Sequence, residues 1–110
     1  PEKPVTTNFM ESFKPLDYAA WGRELDFTCL DIYPEPDGGS HPGAQNADMT
    51  RSFGRNRPWL IMEQVTTHVN WRTRNATKRP GLMRLWSYQS IARGADGICF
   101  FQWRQARAGA

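Results

Sequence analysis

Pro58-Trp59-Leu60-Ile61-Met62-Glu63-Gln64-Val65-Thr66-Thr67-His68-Val69-Asn70-Trp71 passes from apolar to polar within one residue. Trp59 to Met62 reads as a strand, because a short apolar run without in-out alternation suits a strand covered on both faces, as in a parallel sheet flanked by helices. The run ends on a carboxylate. An ionised Glu63 directly behind Leu60, Ile61 and Met62 is costly to bury unless it is paired or used. The stretch therefore predicts a covered strand that stops at a reactive rim.

Outward from it, three further runs rich in β-branched or aromatic residues read as strands: Val5 to Phe9, Phe27 to Ile32, and Gly97 to Phe101. Helical spacing lies between them. Lys14 to Leu25 carries Tyr18, Trp21 and Leu25 on one stripe despite Gly22, and Asn46 to Arg55 spaces Met49 and Phe53 by one turn. Pro80 to Arg93 follows Thr77 and Lys78, opens on a first-turn proline, sets Leu82, Leu85, Trp86 and Gln89 on one face, and stops at Gly94. The order βαβαβαβ predicts an α/β fold with a parallel sheet and right-handed crossovers. Strand starts at Val5, Phe27, Trp59 and Gly97 recur roughly every 20 to 40 residues, the repeat size of a (β/α)8 TIM barrel, which needs about 250 residues. Four strands make half of one. No GxGxxG or P-loop follows a strand, which removes the nucleotide signatures of a doubly wound sheet.

The 110 residues, 39% of them hydrophobic, with five Trp and six Phe, argue for a packed core in one domain or part of one. The net charge of +3 is mild, and most of the excess sits between Arg72 and Arg79, with Arg84 a turn further on. Such a short cluster, with no motif of a nucleic-acid-binding fold, reads as a solvated loop, and no nucleic-acid partner is expected. Cys29 and Cys99 each lie in an apolar run with no metal-ligand spacing, and both read as buried reduced thiols. No charged-then-apolar leader and no membrane-length apolar run is visible, so no membrane partner is expected. A start at Pro1 and an end at Gly109-Ala110 suggest a piece of a longer protein, and a cytoplasmic location is the expectation for that parent.

The strand ends collect polar and aromatic groups: Asn8-Phe9, then Asp31-Ile32-Tyr33-Pro34, Glu63-Gln64, and Gln102-Trp103-Arg104-Gln105. In a barrel of this kind, catalytic groups sit at the carboxyl ends of the strands. Each residue alone has a structural explanation, as a cap, a rim bond or a packing ring. Flat rings such as Trp71 and Tyr33 beside carboxylates suit a sugar, whose C–H face lies on an aromatic while amides, Arg and carboxylates bond its hydroxyls. The residues alone leave three readings: an enzyme, a non-catalytic carbohydrate-binding fragment, and a basic interaction domain.

Val5-Thr6-Thr7-Asn8-Phe9-Met10, Lys14-Pro15-Leu16-Asp17-Tyr18, Leu30-Asp31-Ile32-Tyr33-Pro34, Met62-Glu63-Gln64, Val69-Asn70-Trp71, Lys78 to Gln89 (KRPGLMRLWSYQ) and Phe100 to Gln105 (FFQWRQ) together resemble β-galactosidases of glycoside hydrolase family 42. The resemblance runs in order over nearly the whole chain and is weakest from Glu35 to Arg57. It implies the second half of the catalytic barrel, strands five to eight, truncated at both ends. It also implies retaining hydrolysis of terminal β-D-galactosides, lactose-like or from plant oligosaccharides, with Glu63 as nucleophile. Trp71 matches the family's galactose-stacking tryptophan and Tyr33 a tyrosine beside the nucleophile, while Gln102 and Arg104 match the start of the strand-eight loop and are expected to bind substrate. Donors for Glu63 could come from Arg104, His68 or Tyr33.

The family's general acid/base glutamate would lie before Pro1, and a further substrate-binding Glu and His beyond Ala110. Asp31, Glu35 and Asp37 are the in-chain candidates for a second carboxylate. The family's cysteine metal ligands belong to the earlier half and are not matched by Cys29 or Cys99, so no cofactor is expected in this chain. The resemblance further implies a homotrimeric parent. One departure is internal: Leu30 stands where the family usually has Trp, which bears on the packing of that rim.

Overall fold

The computed structural model describes residues 2–36 and 41–107. Strands and helices alternate as β1 (Asn8–Met10), α1 (Tyr18–Glu24), β2 (Thr28–Ile32), α2 (His41–Phe53), β3 (Trp59–Val65), α3 (Leu82–Ala92) and β4 (Gly97–Phe101). The four strands form one sheet in the order β1-β2-β3-β4, every neighbouring pair parallel. That is the α/β alternation expected from the sequence.

Element ends differ from the expectation for physical reasons. β1 is a short strand, Asn8–Met10, rather than Val5 to Phe9, because Val5 already bonds Asp26: its N–H donates to the Asp26 carboxylate at 2.6 Å and its carbonyl accepts from the Asp26 N–H at 3.0 Å. α1 begins only at Tyr18, since the Asp17 side chain accepts from the Ala20 N–H at 2.8 Å and caps the helix there. Gly22, which costs helix propensity, is required by packing: a Cβ there would lie 2.2 Å from the Phe53 carbonyl oxygen, so α1 crosses the end of α2 at a distance only glycine allows. α2 turns Asn46, Ala47 and Thr50 inward and leaves Met49 and Phe53 half-buried, because small residues let it approach β2 closely. In α3 the inward face is Leu82, Trp86 and Ser90, whereas Leu85, placed by spacing on that face, is exposed. Gly94 follows the end of α3 at a φ of 92°, as its position suggests.

The core lies between sheet and helices. Leu30, Ile32, Trp59 and Ile61 from the two central strands meet Ala47 of α2 and Ala95. A second cluster joins Val65, Val69, Leu82 and Trp86, and a third Phe9, Tyr18 and Leu25. Full burial of each large apolar side chain contributes roughly 1.5–3 kcal/mol. Leu30 is fully buried in the first cluster, so the departure at that position bears on the core and not on a rim. Cys29 is buried as expected, but Cys99 is exposed, because β4 is an outer strand. Arg72 and Lys78 correct the solvated-loop reading of the basic stretch: both are half-buried, and Lys78 donates to the Thr67 carbonyl at 2.8 Å with its ammonium over the Trp86 ring. Burial, with help from Arg72, lowers the Lys78 pKa. Among the described residues no helix is long and apolar enough to cross a membrane.

Candidate active site

β3 continues through Val65, so Glu63 and Gln64 lie within the strand and not beyond it. The sheet register explains how an apolar strand delivers a carboxylate. Leu30 pairs with Ile61, but the next residue, Asp31, pairs with Glu63, leaving Met62 as an extra residue on β3. In an unbroken strand, residues two apart share a face, so Glu63 would join Ile61 in the core. The bulge reverses that, as bulges do when they re-aim a side chain beside a site. Ile61 stays buried, Glu63 sits beside Asp31 at the carboxyl ends of β2 and β3, and Gln64 turns inward. Gln64 is fully buried and satisfied, its amide donating to Ser87 Oγ at 2.9 Å and to the Met83 carbonyl at 3.3 Å.

Glu63 opens onto a cleft of about 560 Å³ that Asp31, Tyr33, Trp71, Glu35, Glu11 and Arg72 also line. The Tyr33 hydroxyl donates to Glu63 Oε2 at 2.5 Å, and no described donor bonds the other carboxylate oxygen. Of the candidate donors Arg104, His68 and Tyr33, Tyr33 is the one with a hydrogen bond to Glu63 among the described residues. Burial, then the Glu63 carboxylate that accepts its hydrogen bond, then Asp31, push the Tyr33 phenol well above its usual range, so it remains a donor at any working pH. Trp71 stands edge-on to Tyr33, ring centroids 4.9 Å apart, and is 58% exposed at the cleft wall. A ring held on one edge with an open face suits stacking against a sugar.

Asp31 accepts from the Asn8 side-chain amide at 2.8 Å. Its pKa is raised to about 6, chiefly by burial, against which the Asn8 bond works, with Glu63 and Glu11 adding like-charge repulsion. Two neighbouring carboxylates thus sit in different environments.

Gln102 and Arg104 lie elsewhere. They line a separate concavity with Trp103, Gln105 and Arg107, and the Gln102 N–H donates to Thr66 Oγ1 at 3.0 Å. Asp37 falls outside the described residues. Glu11 and Arg72, in contrast, are brought into the cleft without having been singled out. Arg72 was read as part of a basic loop, but it is ion-paired with Glu35 at 2.9 Å and donates to the Tyr33 carbonyl. Glu11 directly follows β1, so the strand-end logic that selected Asp31 and Glu63 applied to it equally. Among the described residues no group of three or more His, Cys, Asp or Glu is arranged to hold a metal ion, and the Cys29 thiol is engaged by the Thr6 hydroxyl.

A family model for β-galactosidases of glycoside hydrolase family 42 matches residues 1–110. The chain belongs to that family. It is 57% identical over its full length to a β-galactosidase, BgaB, of a Geobacillus species, and 50% identical to the β-galactosidase LacZ of Heyndrickxia coagulans. In each case it spans 16% of the relative's length. The crystal structure of a β-galactosidase from Bacillus circulans sp. alkalophilus superposes with a TM-score of 0.87 at 42% identity, covering 96% of this chain and 16% of that one. The parallel sheet with its crossover helices is thus a fragment of a glycosidase TIM barrel.

Within a full-length family protein carrying this segment, Asp31 makes stability pH-dependent. Its folded pKa, about 6 against 3.8 for the free side chain, means the folded state holds the proton more tightly than the unfolded one. Stability is therefore highest below about pH 4 and falls as the pH rises towards 6, by at most about 3 kcal/mol. Asp31→Asn keeps a carbonyl acceptor for Asn8 but removes the ionisation. The variant is expected to melt above the unsubstituted protein at pH 7 and together with it at pH 4. An equal gap at both pH values would contradict this assignment.

Proposed function

We propose that this segment supplies the nucleophile half of a retaining β-galactosidase site. In this reading the 110 residues are strands five to eight of the catalytic (β/α)8 barrel, part of one catalytic domain, and Glu63 attacks the anomeric carbon of a terminal β-D-galactoside. The observation that carries it is Glu63 at a strand's carboxyl end, in a cleft walled by Trp71 and hydrogen-bonded by Tyr33.

The bonds balance as follows. The Glu63 carboxylate forms a bond to C1 while the C1–O bond to the aglycone breaks, and an acid outside this segment delivers a proton to the departing oxygen. That group then takes a proton from water, whose oxygen displaces Glu63 from C1, releasing galactose and restoring both carboxyl groups. Glu63 must be ionised to attack, and the Tyr33 hydroxyl fixes the carboxylate by donating to Oε2. Trp71 offers a platform for the galactose ring. Gln102 and Arg104, in their own concavity beside the strand end, would contact substrate once the rest of the strand-eight loop is in place.

A homotrimeric parent, a cytoplasmic location and a structural metal held by other segments rest on family membership alone. A non-catalytic sugar-binding role is the second reading, favoured by the exposed Trp71 face. Stereochemistry separates them. Proton NMR during hydrolysis of an aryl β-galactoside by the full-length protein is expected to show β-galactose first, with the α anomer appearing only by mutarotation. First release of the α anomer would mean inversion and remove Glu63 as a nucleophile, and no release at all would favour the binding role.

A further inference from the structure

Tyr33 can serve Glu63 only if its ring is held in one place, and the chain holds its backbone at both polar groups. The Tyr33 N–H donates to Glu11 Oε1 at 2.8 Å, and its carbonyl accepts from the Arg72 guanidinium. Arg72 is itself fixed, its side chain only 12% exposed and its Nε 2.9 Å from the Glu35 carboxylate. Tyr33 lies just past β2, in a stretch with no ladder bonds of its own, so these side chains replace what a strand would supply. Glu11 reaches the position from a backbone φ of 49°, a left-handed conformation uncommon outside glycine.

We propose that Glu11 and Arg72 are positioning residues that clamp the Tyr33 main chain so that its hydroxyl meets the Glu63 carboxylate. This rests on Glu63 being the nucleophile. The clamp gives Glu11 and Glu35, neither of which touches Glu63, a role in the chemistry through another residue. Among the described residues, the charged and titratable groups that line the cleft with Tyr33 are Glu11, Asp31, Glu63 and Arg72, with Glu35 paired to Arg72. Loosening either end lets the phenol leave the Glu63 carboxylate, so that the attacking oxygen is no longer fixed.

The test uses the full-length protein and an aryl β-galactoside. E11G is the informative substitution, because glycine accepts the positive φ without strain while the carboxylate is lost. Its melting temperature is expected to equal or exceed that of the unsubstituted protein. Its kcat is expected to fall about tenfold with KM within about twofold. E11Q, which keeps a carbonyl acceptor, should restore most of the loss. R72M, which releases the other end, should lower kcat in the same way with KM little changed. In a Y33F background E11G should change kcat less than twofold, since residues acting through one group are not additive.

A kcat unchanged in both E11G and R72M, or an E11G effect that appears in full on top of Y33F, overturns the clamp. Measuring E63Q alongside keeps the two failures apart. Lost turnover in E63Q with an unchanged kcat in E11G and R72M rejects the clamp alone, whereas retained turnover in E63Q rejects the nucleophile and the clamp's catalytic link with it.

Discussion

Replacing Glu63 by Gln in the full-length protein is expected to lower turnover of a β-galactoside by about 10⁴-fold or more, the scale on which loss of a covalent nucleophile is felt. Affinity for galactose should change little. The amide is the same size, can still accept from the Tyr33 hydroxyl, and leaves Trp71 where it stands; what it cannot do is form the bond to C1. The loss should therefore appear in kcat, with KM for an activated substrate moving only a fewfold. A general-base or purely electrostatic role for Glu63 would leave a substantial residual rate on substrates with good leaving groups. Added azide would also separate the roles in a Glu63→Gly protein, where the side chain is gone: a small anionic nucleophile entering that space gives an α-galactosyl azide only if Glu63 normally attacks C1. A Glu63→Gln protein within tenfold of the original would end the assignment.

The second large effect concerns the 110 residues by themselves, which are expected to hydrolyse no galactoside and not to remain monomeric. β1 and β4 are the outer strands of an open parallel sheet, and parallel sheets are stable when both faces and both edges are covered. Phe100 on β4 is 54% exposed, and Leu85, Tyr88 and Ile91 make an apolar stripe along the outside of α3. Together with Met10 and Phe13 these leave apolar surface that water does not favour, the pattern of an aggregation-prone segment. The chemistry is equally incomplete. A retaining site needs a second carboxyl group about 5 Å across the glycosidic bond from the first, working as acid and then as base. Asp31 is paired with Asn8 and Glu35 with Arg72, which leaves neither in the role of a proton donor facing a departing aglycone. Light scattering and a chromogenic assay on the purified segment check both points; a cooperative monomer transition, or clear turnover, would contradict them.

How far the sequence carries this result depends on which physical signal each residue leaves. Alternating apolar strands and helical stripes are strong local signals, and the parallel α/β order follows from them. Asp31, Tyr33 and Glu63 stand out as candidates because polar and aromatic groups gather where apolar runs end, and Trp71 because its ring follows close behind; the cleft brings the four together. The bulge at Met62 was not legible: in a run where both faces are covered, an extra apolar residue leaves no break in the pattern, yet it is what turns Glu63 out of the core. Leu85 misled because helical spacing says which residues share a face, not which face another element covers. Arg72 was hidden by its neighbours, since five basic residues in a short stretch look alike until one of them finds Glu35 and the Tyr33 carbonyl. Cys99 shows the same limit from the other side, because membership of an apolar run does not reveal that the strand lies at an edge.

The account turns on which carboxylate bonds to the sugar. Inactivating the full-length protein with a 2-deoxy-2-fluoro-β-galactosyl fluoride, digesting it and sequencing the labelled peptide by mass spectrometry reads that directly. The galactosyl group is expected on Glu63, within the peptide that begins near Pro58. A label on Asp31, on Glu11 or on a carboxylate outside these 110 residues would contradict it.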